Sequence, residues 1–201
     1  MDYLILGFLT GLSLILAIGA QNIFVIEQGL KKQYIFIVCL ICSISDFLLI
    51  FLGIFLFQYL NYFFTPIIEL VFNILLLIFL LHFIWGKIKT KVSETSFDVD
   101  SKTNNLSNIV VKTLGFTFLN PHVYSDTVFF LGNFSKSLSQ VDKYYFGAGA
   151  AISSFLFFFI IGYLSKYFSK YLKSATVWKR INYLIILFMS ILALTVLMEI
   201  I

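Results

Sequence analysis

Six stretches of the chain are apolar over roughly the 20 residues that a helix needs to cross a bilayer. They lie near residues 4–30, 35–60, 67–86, 109–135, 144–165 and 181–200, with short polar segments between them. Each predicts a membrane-spanning helix. Pro66 stands at the head of the third, where a helix has no use for the missing donor. Residues 87–108 form the one sizeable polar loop, mixing Lys, Glu and Asp with Ser, Thr and Asn. That composition predicts a flexible, non-catalytic segment. It divides the chain into about 1–86 and about 109–201, with three spans in each part. An odd number of spans per half turns the second half upside down relative to the first. The pattern therefore predicts an all-α membrane protein, one transmembrane domain of six helices built as two inverted three-helix repeats.

Spans one and four break the pattern. Span one carries Gly19-Ala20-Gln21-Asn22 at its waist, then Glu27-Gln28-Gly29. Gly19 lets the backbone leave helical geometry, and Gln21 and Asn22 can satisfy the groups so released. Two half-helices, about 4–17 and 21–30, are expected to meet near mid-membrane. The alternative is a continuous helix whose Gln and Asn bond a neighbouring span. Span four carries Asn120-Pro121-His122-Val123-Tyr124-Ser125-Asp126. Pro121 removes a donor and clashes with the preceding turn, so the helix must kink or open. In lipid the freed carbonyls need partners within the protein or a water-filled cavity. Paired interruptions in matching positions point to a transporter made of inverted repeats.

Composition sharpens this picture. The chain of 201 residues is 60% hydrophobic and 12% charged, with 25 Phe, more apolar surface than a soluble domain can bury. It begins Met1-Asp2 with no basic leader, so the first segment is expected to be a span and not a cleaved signal. The net charge of +4 is spread over the loops and reports orientation rather than nucleic-acid binding. With six spans, one side holds Lys31, Lys32, Lys87, Lys89, Lys91, Lys102, Lys112, Lys166, Lys170, Lys173, Lys179 and Arg180, and the other only Lys136 and Lys143. The basic loops are accordingly expected in the cytoplasm and both termini in the periplasm. A first segment that failed to cross would leave five spans and an N-terminus inside.

The expensive features are two acids. Asp46 lies at the middle of span two and Asp126 just past Pro121, one in each half. Insertion of Asp at mid-bilayer costs roughly 2.5–3.5 kcal/mol, so such residues normally face a bundle interior or a polar pathway. A cationic substrate between them would relieve that cost. The open N-terminal end of a half-helix after Asn22 or Pro121 would suit an α-carboxylate. The substrate so described has a negative head and a positive tail, as a basic amino acid does. The candidate binding residues are Asp46, Asp126, Asn22, Gln21, Asn120 and Tyr124, with Gly19 and Pro121 as helix breaks and His122 as a candidate proton relay. The structural alternative is a kink patched by Asn120, with a neutral Asp126 and a His122 that only packs. Cys39 and Cys42 share one apolar segment and read as packing residues.

Taken together, these stretches resemble a known family. Gly19-Ala20-Gln21-Asn22-Ile23-Phe24-Val25-Ile26-Glu27-Gln28-Gly29-Leu30 resembles the first-span signature of the LysE family of amino-acid exporters. Ser43-Ile44-Ser45-Asp46 resembles the acidic stretch of its second span, and Leu119 to Thr127 its Asn-Pro-His-x-Tyr-x-Asp motif. The likeness runs over nearly the whole chain and is nearest to the arginine-exporting branch. It implies export of L-arginine, or L-lysine, from a bacterial cytoplasm across the inner membrane. It puts functional weight on Asp46 and Asp126, and on Asn22, Asn120 and Pro121. Ala20 departs from the Pro common there, and the high Phe content could reshape the pocket. The expected partners are a basic amino acid, the bilayer and a proton or other coupling ion. Neither a cofactor, a metal nor a nucleic acid is called for, and a homo-oligomer is compatible with the reading. Rival readings are export of another small amino acid or metabolite, thiol-disulfide electron transfer through Cys39 and Cys42, and aspartyl proteolysis by Asp46 and Asp126.

Overall fold

The structure, a computed structural model, describes residues 2–16, 19–63, 65–89, 105–170 and 175–200. All of its regular elements are helical. In chain order they are α1 (Asp2–Ile15), α2 (Ala20–Lys31), α3 (Ile35–Phe63), α4 (Pro66–Lys89), α5 (Leu106–Phe118), α6 (Pro121–Tyr124), α7 (Leu131–Phe134), α8 (Gln140–Ser169) and α9 (Ala175–Ile200). A π-helical turn, Ser125–Phe130, joins α6 to α7, and a 3₁₀ turn, Ser135–Ser137, follows α7.

The expected six spans in two inverted repeats are not what forms. Among the described residues four helices are long and apolar enough to cross a membrane: Ile35–Phe57, Pro66–Gly86, Gln140–Ser169 and Lys179–Met198. The pair α1 and α2, bent by 82° about the break before Ala20, makes a fifth if counted as one span. The apolar run 109–135 does not make a sixth. Pro121 cannot carry α5 onward, so α5 stops after 13 residues and the chain proceeds in short α, π and 3₁₀ pieces. None approaches the ~20 residues a span requires. The halves therefore lack a common three-helix plan, and no clear pair of inverted repeats results. The polar loop expected over 87–108 lies, from 90 to 104, outside the described residues.

Close backbone contact holds the bundle together. Gly7 of α1 lies against the Phe146 carbonyl of α8, and Gly149 of α8 against the Leu4 carbonyl, by contacts that leave no room for a Cβ. Gly29 of α2 meets the Gly162 carbonyl and the Ser165 side chain of α8 in the same way. Small residues at such crossings are what apolar helices use to approach one another in lipid. Thus α8 runs alongside α1 and then α2, and α2 and α8 stop at the same end of the molecule. At that end Lys32 takes up left-handed geometry (φ 58°) and its N–H returns to the Gln28 and Gly29 carbonyls, which terminates α2.

Below the breaks lies an aromatic knot. The ring of Phe116 (α5) is 5.0 Å from that of Phe24 (α2), and 4.7 Å and 5.0 Å from those of Phe79 and Phe83 (α4). Phe24 and Phe116 are buried. Edge-to-face pairs at these separations contribute about 0.5–1.5 kcal/mol each beyond burial.

Candidate functional site

The two interruptions face each other. A Cβ placed on Gly19 would have Asn120 Nδ2 as its nearest neighbour, at 3.9 Å. Between and around them is a cavity of about 430 Å³. Gly19, Gln21 and Asn22 line it from the first break, and Asn120, His122, Asp126 and Thr127 from the second. Asp46 and Ile50 of α3 and Ala150 and Ser154 of α8 complete the polar side. Leu76 and Leu80 of α4, Leu192, Thr195 and Val196 of α9, and Gly11, Leu14 and Ile15 of α1 form most of the rest. No ring of the aromatic knot lines this space, but three of them stand within about one helical turn of a residue that does. Phe24 follows Gln21 by one turn, Phe83 follows Leu80, and Phe116 precedes Asn120.

Each break is bridged by its own polar residues. Asn22 Nδ2 donates to the Ile15 carbonyl at 3.0 Å, binding the end of α1 across the corner. Asn120 Oδ1 accepts the His122 N–H at 3.1 Å and so starts α6. The Tyr124 hydroxyl donates to the Phe118 carbonyl at 2.9 Å, occupying the acceptor that a continuous helix would have paired with the His122 N–H. Thr127 Oγ1 donates to the Val123 carbonyl ahead of the π-helical turn, where the Leu131 N–H reaches the Asp126 carbonyl. Such a turn inserts an extra residue into a helix and is frequent at functional sites.

Several groups remain directed to the cavity. Among the described residues no side chain caps the N-terminus of α2, and Gly19 there is extended (φ −110°, ψ −178°). Gln21 is 6% exposed, and its Nε2 has no hydrogen-bond partner among the described residues. Asp46, 5% exposed, accepts a hydrogen bond from Ser154 Oγ at 2.7 Å on Oδ2. Asp126 is half-buried on the π-helical turn, and His122 is exposed. A helix N-terminus and an amide on one wall with two carboxylates on others can hold a zwitterion bearing a second positive charge.

Of the residues singled out from the sequence, Gly19, Gln21, Asn22, Asp46, Asn120, His122 and Asp126 come together around this space. Pro121 opens α6. Tyr124 does not line the cavity; its hydroxyl is engaged with the backbone of α5. Ser154, which is not among the residues singled out from the sequence, is the hydroxyl that holds Asp46. The pair Ser153-Ser154 in an otherwise apolar span was the available signal. Cys39 and Cys42 are free, buried and outside the cavity, and Cys39 Sγ donates to the Phe158 carbonyl at 3.2 Å. That is packing between α3 and α8, and thiol-disulfide chemistry has no support from it. Among the described residues no cluster of three His, Cys, Asp or Glu could hold a metal ion.

Comparison with known proteins identifies the family. Residues 12–200 match the family described as LysE type translocator. The chain is 34% identical over 183 residues to the arginine exporter protein ArgO of Pectobacterium atrosepticum, covering 89% of this chain and 88% of that protein. It is 32% identical over 199 residues to ArgO of Salmonella typhimurium, covering 96% and 92% respectively. With ArgO of Pectobacterium carotovorum it shares 33% identity over 189 residues, covering 89% and 88%. No solved structure is significantly similar to the chain.

Proposed function

Because the chain belongs to the LysE family of membrane translocators, we propose that it exports basic amino acids, L-arginine or L-lysine, by proton-coupled alternating access. It is a multi-pass inner-membrane transporter related to exporters of the ArgO type, and not an enzyme. One observation carries the substrate reading: Asp46 and Asp126 border the same cavity as the uncapped end of α2. The α-carboxylate would sit at that N-terminus and the Gln21 amide, and the cationic side chain between the two acids. At about 430 Å³ the space is of the order of small-ligand sites, roughly 300–1,000 Å³.

Coupling follows from the same carboxylates. A proton that replaces the departing cation keeps the buried acids neutral, so outward substrate flow is balanced by inward proton flow. His122, on the exposed side of the cavity, is the candidate relay. We assign the end where α2 and α8 stop to the cytoplasm, because Lys31, Lys32, Lys166 and Lys170 gather there. The whole chain acts as one transmembrane domain.

The test is counterflow of labelled arginine and lysine in proteoliposomes. Asp46→Asn and Asp126→Asn should each lower exchange roughly 10–100-fold, the range for loss of a hydrogen bond to a charge, while inserting normally. Full exchange by the double variant would remove the site as drawn.

A further inference from the structure

A second hollow, of about 320 Å³, lies between α2 and α9, apart from the central cavity. Ile23, Ile26 and Leu30 of α2 form one wall, and α9 forms the other from Ile181 through Phe188 to Ile191. The α2 residues follow the three-to-four spacing of a single helix face, while Gln21 and Asn22 turn to the central cavity. The α9 wall spans eleven residues from Ile181 to Ile191, ten helical steps and so about 15 Å. That is half of the roughly 30 Å hydrocarbon core, the depth of one leaflet. Ile191 is half exposed, so the hollow opens sideways to the bilayer.

One end of the hollow is basic. Lys31 and Lys32 follow Leu30, and Lys179 and Arg180 precede Ile181. The contact of Gly29 with Gly162 brings the ends of α2 and α8 together, and α8 ends at Ser169 with only five residues, 170–174, before α9 begins. So α9 runs opposite to α2, and Leu30 and Ile181 mark the same end. Glu27 pairs with Lys31 at 2.6 Å; Lys32, Lys179 and Arg180, next in sequence to the walls of the hollow, are exposed, as are Lys166 and Lys170 at the end of α8. Apolar walls one leaflet deep beneath a basic rim match a molecule with an acyl chain and an anionic head.

We propose that this hollow binds one anionic phospholipid, with an acyl chain along α2 and α9 and its phosphate among Lys32, Lys179 and Arg180. The chain of the lipid then backs the half-helix whose other face borders the central cavity. The binding does not depend on which amino acid is exported.

Native mass spectrometry of the purified protein with phosphatidylglycerol or phosphatidylcholine tests this. One phosphatidylglycerol should be retained about thirtyfold in preference to phosphatidylcholine, and should raise the melting temperature. The variant Lys179→Gln/Arg180→Gln should lose most of that preference, two basic contacts being worth about that factor. Leu184→Trp, on the exposed lip of the hollow, should fold normally and lose the lipid-dependent rise in melting temperature. Equal retention of both lipids by the wild type, or an unchanged preference in the double charge variant, would overturn the proposal. So would dimers that Leu184→Trp abolishes, since a second copy of the chain would then occupy the hollow.

Discussion

At the first interruption the chain turns through 82° between Ile15 and Ala20, and the Asn22 amide bonds across the corner. At the second it needs everything from Asn120 to Ser137, with Asn120, Tyr124 and Thr127 each bonded to backbone. The difference begins with the breaking residue. A glycine merely permits a corner, and the helix that follows keeps all its N–H groups. A proline also removes a donor and leaves an earlier carbonyl to be served by a side chain. The first break therefore presents an open helix end and the Gln21 amide to the cavity, whereas the second presents the carboxylate of Asp126. One break is donor-rich and the other anionic, which is why the halves of the chain do not mirror each other.

The comparison is broken most severely by crowding the second interruption. Gly53 of α3 packs against it: a Cβ there would lie 2.6 Å from the Val128 Cα and carbonyl oxygen and 2.8 Å from the Thr127 oxygen. Those are backbone atoms of the π-helical turn and cannot swing aside. Gly53→Ala should destabilise the protein by about 1–3 kcal/mol, the usual cost of overpacking. Thermal unfolding in detergent, read with size-exclusion profiles, would measure it. A wild-type melting temperature would mean that the turn can slide along α3.

What could be read from the chain beforehand follows the same division. Gly19, Pro121, Asp46 and Asp126 stand out because a helix breaker or an acid is conspicuous against an apolar background. The count of spans did not survive, because hydropathy registers how apolar 109–135 is and not whether its helix is continuous. The π-helical turn was illegible for a related reason: one extra residue leaves no trace in an unbroken apolar run. Ser154 was hidden by context, since a serine among Gly and Ala suits close packing as well as it suits a bond to Asp46. Tyr124 was assigned to substrate because it lies in the motif, and only the structure reveals its hydroxyl on the Phe118 carbonyl.

A smaller effect distinguishes bridging from substrate contact at the first corner. Asn22→Ala removes the donor that reaches the Ile15 carbonyl, leaving a buried acceptor unmade at about 1–3 kcal/mol. The melting temperature should fall, with Tyr124→Phe giving a comparable drop at the other break, while the KM for arginine in proteoliposomes moves less than threefold. Asn22→Asp should not restore stability, since a carboxylate has no proton to donate. A raised KM with unchanged melting would instead make Asn22 a direct ligand of the substrate.

The mildest change bears most directly on how the first corner works. Gly19 is extended, with φ −110°, and a Cβ there would meet nothing nearer than Asn120 Nδ2 at 3.9 Å. Alanine fits this backbone without strain and lowers the entropy of the unfolded chain, so Gly19→Ala should stabilise the protein by up to about 1 kcal/mol. Exchange should stay within twofold if the corner is a fixed joint. Melting temperature and counterflow on the same preparation separate the two possibilities. A stable Gly19→Ala protein with little exchange would mean that the corner passes through a left-handed conformation open only to glycine, and the first break would then be the moving hinge and the second, bonded at every step, the fixed wall.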